Sequence, residues 1–230
     1  MPFFGFSLTD IVLLVPALLF ALYAQMKVKS TFQRYQNVFS RRRITAAQAA
    51  QSILSSNNVY DVEVEETSGL LSDHYDPRAK KLRLSSEIYH SPSVAALGVA
   101  AHEAGHAIQH RVGYAPLKFR NGLFPVANIG SQMALPLFVI GLLFRSGFMM
   151  DIGIWLFVGA VAFQIVTLPV EFNASKRALV QLEAGGYLER DEIEPARKVL
   201  SAAALTYVAA TAVAVMHLIR LLLLRGSSDD

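Results

Sequence analysis

Residues 152–177 read IGIWLFVGAVAFQIVTLPVEFNASKR, and the change of character at Glu171 decides the fold. From Ile152 to Val170 the run carries no Lys, Arg, Asp or Glu. It is close to the roughly 20 residues needed to cross a hydrocarbon core about 30 Å thick. From Glu171 the sequence turns polar and reads as a helix continuing to Gly185-Gly186. An apolar span that ends on a carboxylate is the feature the rest of the chain has to explain.

Three more blocks share the apolar character: about Leu8 to Met26, Leu123 to Phe144, and Ala202 to Leu224. Over the 230 residues, hydrophobic side chains make up 53% and charged ones 17%, with mean hydropathy +0.37. Ordinary soluble domains carry about 25% charge. A chain this poor in charge needs lipid to cover part of its surface. The expected fold is mainly α, a membrane protein with about four transmembrane helices. Cysteine is absent, which excludes a disulfide scaffold, thiol catalysis and Cys-ligated metal.

The first block lacks the basic n-region of a cleavable signal peptide, and basic residues follow it instead: Lys27, Lys29, Arg34, Arg41, Arg42 and Arg43. The positive-inside rule puts the N-terminus outside and residue 27 onward in the cytoplasm. Arg220 and Arg225, at the far end of the fourth block, pull mildly the other way. The net charge of +3 and pI near 9.2 thus mark a face toward anionic headgroups. Nucleic acid is not the expected partner, because no aromatic-studded basic surface accompanies the cluster. The expected organisation is an anchor at 1–26, a soluble core at 27–122, a transmembrane hairpin at 123–170, a polar helical segment at 171–200 and a last span with its tail at 201–230.

Within the soluble core, Thr45 to Ser56 reads as a capped helix, with Gln48 three residues after Thr45 and Asn57-Asn58 ending it. Val59 to Glu65 alternates like a strand, and Lys81 to Leu84 is a second short one. Turn signals at Ser68-Gly69 and Asp76-Pro77-Arg78 separate them. A helix then opens after Ser91-Pro92-Ser93 and runs to Gly113, and Pro195 is expected to start the last helix.

The helix before Gly113 contains His102-Glu103-Ala104-Gly105-His106, an H-E-x-x-H motif. Positions i and i+4 share a helix face, about 5–6 Å apart, so two imidazoles can converge on one ion. Glu103 beside them suits the role of general base toward a metal-activated water. A solvated helix face is the bland alternative, but the flanking Val99-Ala100-Ala101 and Ala107-Ile108 are small and apolar, and a bare His-Glu-His face is costly to bury there. A third ligand is required. Gln109 and Val112 stand where a metzincin needs Gly and His, so that class is excluded. His110 lies about 12 Å along the axis from His102 and reads as polar surface or as a hydrogen-bond partner of the site. Glu171 is the best candidate, because the span ending at Val170 returns the chain to the face from which the motif helix leaves. The same glutamate could instead be a first-turn acid of the helix that follows.

The residues also resemble a family. The order helix, strand, strand, H-E-x-x-H, Glu is similar to the gluzincin core of HtpX-type and CAAX-prenyl membrane proteases. More closely, the chain resembles the YugP-type membrane-bound neutral zinc metallopeptidases of bacteria, in part at Asn58-Val59-Tyr60 and strongly at AAHEAGHAIQH, LPVEFNASKRAL and VLSAAALTYVAA. The resemblance implies a small α+β metalloprotease core at the membrane surface of a bacterial plasma membrane. It implies one zinc ion per chain held by His102, His106 and Glu171, with Glu103 as the catalytic base. Ser175 departs from the HtpX-type pattern, which has Asp there, and Asn173 could supply a hydrogen bond in its place.

The expected activity is a zinc metalloendopeptidase acting on membrane or membrane-proximal proteins, with the active site on the cytoplasmic side. Lys81 to Leu84 is the expected edge for the substrate main chain. Arg177, Tyr207 and His74 are candidates to stabilise an oxyanion. His217 is expected to pack as a polar residue in the last span, and Asn128 and Gln132 to hydrogen-bond between helices or line a cavity. A non-catalytic membrane scaffold with a structural metal is the alternative, and a transporter finds no repeated halves to support it.

Overall fold

A computed structural model describes residues 8–69 and 72–227. Leu70 and Leu71, in the expected loop, and residues 1–7 of the segment expected outside fall beyond them. The chain is mainly helical, with one small sheet. Its elements are α1 (Leu8–Tyr35), α2 (Ala46–Ser56), β1 (Glu63–Thr67), β2 (His74–Asp76), β3 (Lys81–Ser85), α3 (Ser86–Tyr89), α4 (Val94–Arg111), α5 (Ala115–Leu143), α6 (Gly147–Ala184) and α7 (Arg190–Gly226). Helices α1, α5, α6 and α7 are each long and apolar enough to cross a membrane.

Two compact units emerge. One gathers the chain up to Gln25, Phe119–Leu168 and the chain from Thr206. Its helices keep large apolar side chains such as Leu19, Ile129, Leu135 and Trp155 exposed, the surface that lipid covers. Inside it, α5 and α6 touch backbone to backbone. A Cβ built on Gly130 would fall 2.3 Å from the Leu156 carbonyl oxygen, and one on Gly153 2.7 Å from that of Ala134. Without a hydrophobic drive between helices in lipid, such close approach supplies the dispersion contacts that hold them. Phe138, Met150, Ile154 and Leu221 are buried together, and Arg225 Nε donates to Asp151 Oδ1 at 2.8 Å. Asn128 and Gln132 bond to each other along α5, with Gln132 Nε2 donating to Asn128 Oδ1 at 3.1 Å. The expected bond between helices is thus replaced by one along a single helix, because the two amides stand four residues apart. His217 lies partly buried on α7.

The other unit comprises Met26–Lys118 and Pro169–Leu205. Helix α2 begins on the capping box read from the sequence, Thr45 Oγ1 accepting from Gln48 N and Gln48 Oε1 from Thr45 N. It ends where Asn58 turns into the left-handed region at φ 57°. Ile53 and Leu54 of α2, Leu82 and Leu84 of β3, Leu97 and Ala101 of α4, and Leu182 of α6 share one core.

The sheet corrects the expected pair of strands. It has three strands in the order β1-β3-β2, with β1 parallel to β3 and β2 antiparallel to it. The alternation at Val59–Glu65 proposes a strand four residues too early, since pairing starts only at Glu63. Lys81 to Leu84 lies in the central strand, paired with β1 along its length and with β2 from Lys81 to Arg83, so it is not the open edge expected for a substrate. The reason is β2: three residues beginning at His74 show no apolar alternation, yet they pair through their backbone. Two helix ends also differ. Pro195 sits inside α7, which opens at Arg190, where Glu192 Oε2 accepts from Glu189 N. The polar residues ahead of the second span belong to α5 from Ala115.

Candidate metal centre

Ser93 starts α4 by accepting from the Ala96 backbone N–H at 3.1 Å. One side of α4, including Val94, Leu97, Ala100, Ala101, Ala104 and Ile108, is buried in the core. The other side carries His102 and His106, half-buried, their ring centroids 4.7 Å apart at an interplanar angle of 86°. Gly105, between them, lets α6 come close. A Cβ there would fall 2.8 Å from the Ala174 carbonyl oxygen. That contact draws Glu171, three residues before Ala174, onto the histidines.

Glu171 is 3% exposed. Its Oε2 lies 3.2 Å from His102 Nε2 and 3.5 Å from His106 Nε2. Two donors held about 2.0–2.1 Å from one tetrahedral ion stand about 3.4 Å apart. The two distances bracket that value, and all three donor atoms lie within 4.8 Å of one another. Two imidazoles and one carboxylate are also the chemistry of a zinc site that keeps a position open. The donor set therefore fits zinc.

The electrostatics run the same way. Burial alone pulls the His106 imidazole down, but its bond to Glu171 and the charges of Glu103 and Glu171 outweigh it, so its pKa is raised. A dication taking Nε2 would displace any proton that this nitrogen carries.

Glu103, half-buried on α4, accepts from the Tyr75 backbone N–H at 3.0 Å through Oε2. Tyr75 lies on β2, so the edge of the sheet beside the glutamate belongs to that strand. Desolvation, with the charges of Asp61 and Asp76, pushes the Tyr75 phenol up to about 12. It stays neutral and pairs with His110 Nδ1 at 2.8 Å. His110 therefore serves β2, and the structure does not bring it to the metal ligands.

Two residues complete the histidine contacts without having been singled out for it. Ser175 Oγ lies 3.1 Å from His102 Nδ1, so the hydroxyl occupies the place where the HtpX-type pattern has Asp. Gln109 Oε1 lies 3.0 Å from His106 Nδ1, and its Nε2 donates to Val170 O and Asn173 Oδ1 at 2.8 and 3.0 Å. Spacing offered a signal for Gln109, since three residues from His106 is one helix face. In the sequence it served only to exclude metzincins.

The other candidates scatter. Arg177 Nε donates to Asn173 Oδ1 at 2.8 Å. His74 is exposed, its Nδ1 2.7 Å from Ser72 O and its Nε2 3.3 Å from Arg83 Nη1. Tyr207 is part of the other unit, where its carbonyl accepts from Thr211 Oγ1 at 2.9 Å.

The model of a family described as "Putative neutral zinc metallopeptidase" matches residues 10–226. A curated protein of Bacillus subtilis (strain 168), "Putative membrane protease YugP", is 45% identical over 220 residues, spanning 96% of this chain and 98% of that protein. No solved structure matches.

Proposed function

The chain belongs to the family described as "Putative neutral zinc metallopeptidase", and from that premise we propose that it is a membrane-embedded zinc metalloendopeptidase. The observation that carries the reading is one carboxylate oxygen, Glu171 Oε2, held at ligand–ligand distance from both H-E-x-x-H imidazoles. His102, His106 and Glu171 would hold the metal. When bound, zinc supplies a Lewis acid that lowers the pKa of water toward 7 and polarises a peptide carbonyl. Glu103 takes the water proton. Tyr75 N–H anchors Glu103 Oε2 and so leaves Oε1 to receive it. Glu103 then returns the proton to the leaving amine.

The substrate main chain lies along β2. This strand is paired to β3 on one side only, and its Tyr75 N–H turns away from β3 toward Glu103. An extended peptide added there can donate to the Tyr75 carbonyl, which points to the same side as the N–H held by Glu103, and sets its scissile carbonyl over the motif helix. Beside Tyr75 a cleft of about 270 Å³, walled by Val62, Ala107, Lys80, Asp61 and Arg111 among others, is sized for a substrate side chain. The substrates are membrane or membrane-proximal proteins, a reading supported by the four span-length helices of the same chain. The basic residues from Lys27 to Arg43 support a cytoplasmic active site in a bacterial plasma membrane.

The test compares membrane-protein fragments from cells carrying the wild-type chain with those from cells carrying Glu103→Gln. Fragments found only with the wild type, and mapping within or next to membrane spans, support the proposal. Identical fragment sets sink it.

A further inference from the structure

Gln109 is fully buried, although an uncharged amide has no place in the chemistry described so far. Its partners settle its orientation. The Val170 carbonyl can only accept, so the amide atom 2.8 Å from it is nitrogen. The second hydrogen of that nitrogen goes to Asn173 Oδ1, which also accepts from Arg177 Nε, a group that can only donate. With both hydrogens committed, the remaining amide atom is oxygen, and it faces His106 Nδ1 at 3.0 Å. An oxygen without hydrogen can only accept. His106 therefore carries a hydrogen on Nδ1, which leaves Nε2, on the side where Glu171 lies, as the nitrogen that would take a metal. His102 has no such constraint, because the Ser175 hydroxyl can donate or accept.

Placement adds a second link. Val170 immediately precedes Glu171, so the amide that orients His106 also grips the peptide next to the third ligand. Gly105 makes this reach possible, since it brings the α4 and α6 backbones into contact one turn away. We infer that Gln109 is a positioning residue that fixes the metal-binding tautomer of His106 and ties the motif helix to the peptide carrying Glu171. The inference rests on the zinc reading of His102, His106 and Glu171.

The test uses the purified full-length chain in detergent, with zinc affinity measured by competition against a chelating dye. Cobalt(II) absorption reports the ligand geometry, and thermal unfolding of the metal-free protein reports the fold. Gln109→Leu keeps the approximate volume and removes the acceptor. It is expected to weaken zinc binding by about 10–100-fold and to alter the cobalt bands, as loss of a ligand's hydrogen-bond partner does. Gln109→Glu keeps an acceptor toward His106 Nδ1–H but loses the donor to Val170 O, so its zinc affinity is expected to lie between those of the wild type and the leucine variant; if the leucine variant does not fold, wild-type affinity in the glutamate variant overturns the tie to Val170. Zinc affinity within twofold of wild type in Gln109→Leu, with unchanged cobalt bands, overturns the inference. Equal loss in both variants overturns it too, because the acceptor toward His106 Nδ1 would then contribute nothing. A wild-type chain that binds no zinc refutes the metal reading itself, an outcome distinct from either.

Discussion

Replacing Gly105 by Ala tests the helix contact on which the whole site depends. On an open helix face the change would stabilise the protein by about 1 kcal/mol, the propensity difference between the two residues. Here the added Cβ falls 2.8 Å from the Ala174 carbonyl oxygen and 3.3 Å from its carbonyl carbon and Cα. All three are backbone atoms, so no rotamer change relieves the clash. Reaching an ordinary 3.4 Å contact needs a shift of 0.6 Å between α4 and α6. Overpacking of this kind costs about 1–3 kcal/mol, leaving a net loss of roughly 0–2 kcal/mol after the propensity gain. The site should suffer more than the fold. The displaced turn carries His102 and His106 away from Glu171, and misplacement approaching 1 Å costs up to about 100-fold in rate. Zinc titration and peptide cleavage on purified Gly105→Ala should show a loss of 10-fold or more in each, beside a modest fall in thermal midpoint, all estimated from that misplacement scale. Zinc affinity and cleavage within twofold of wild type would refute the reasoning.

Three other outcomes follow from the same geometry. Glu171→Ala should lose zinc by more than the roughly 100-fold typical of removing a ligand's hydrogen-bond partner, measured as metal content after purification; stoichiometric zinc in that variant contradicts the ligand set. Acid should release the metal: the His106 pKa is raised from its ordinary value in the metal-free chain, so protons compete with zinc as pH falls through that raised pKa, and affinity levels off above it. A zinc affinity that stays flat from pH 8 to pH 5 would speak against His106 as a ligand. For orientation, Gln51 is exposed and the chain has no thiol, so Gln51→Cys should react with a membrane-impermeant maleimide only in opened cells; labelling of intact cells reverses the topology. Ser40 is unsuited to that experiment because it is fully buried.

Features legible in the sequence were those set by local chemistry. Block length and the absence of charge announced the spans, Thr45 and Gln48 announced a helix start, and the i,i+4 histidines announced a shared face. Glu171 could be proposed because a helix crossing and a return are geometry that length alone implies. The illegible features depend on pairing between distant segments. Strand β2 is three residues of His-Tyr-Asp with no alternation to reveal it, and only its bond to β3 makes Lys81–Ser85 central. The partnership of Gln109 with Val170 O joins positions 61 apart in the chain, and a backbone carbonyl leaves no mark on sequence. Ser175 was visible as a departure from a related pattern, but its contact with His102 Nδ1 depends on how α6 packs against α4.

The central claim is that Glu103 moves the proton at a zinc held by other residues. Its most direct measurement is zinc content and peptide cleavage of purified Glu103→Gln measured on one sample. The account predicts zinc at the wild-type level, because Glu103 is not among the three clustered donors, together with loss of cleavage. Full zinc with unchanged cleavage would contradict it.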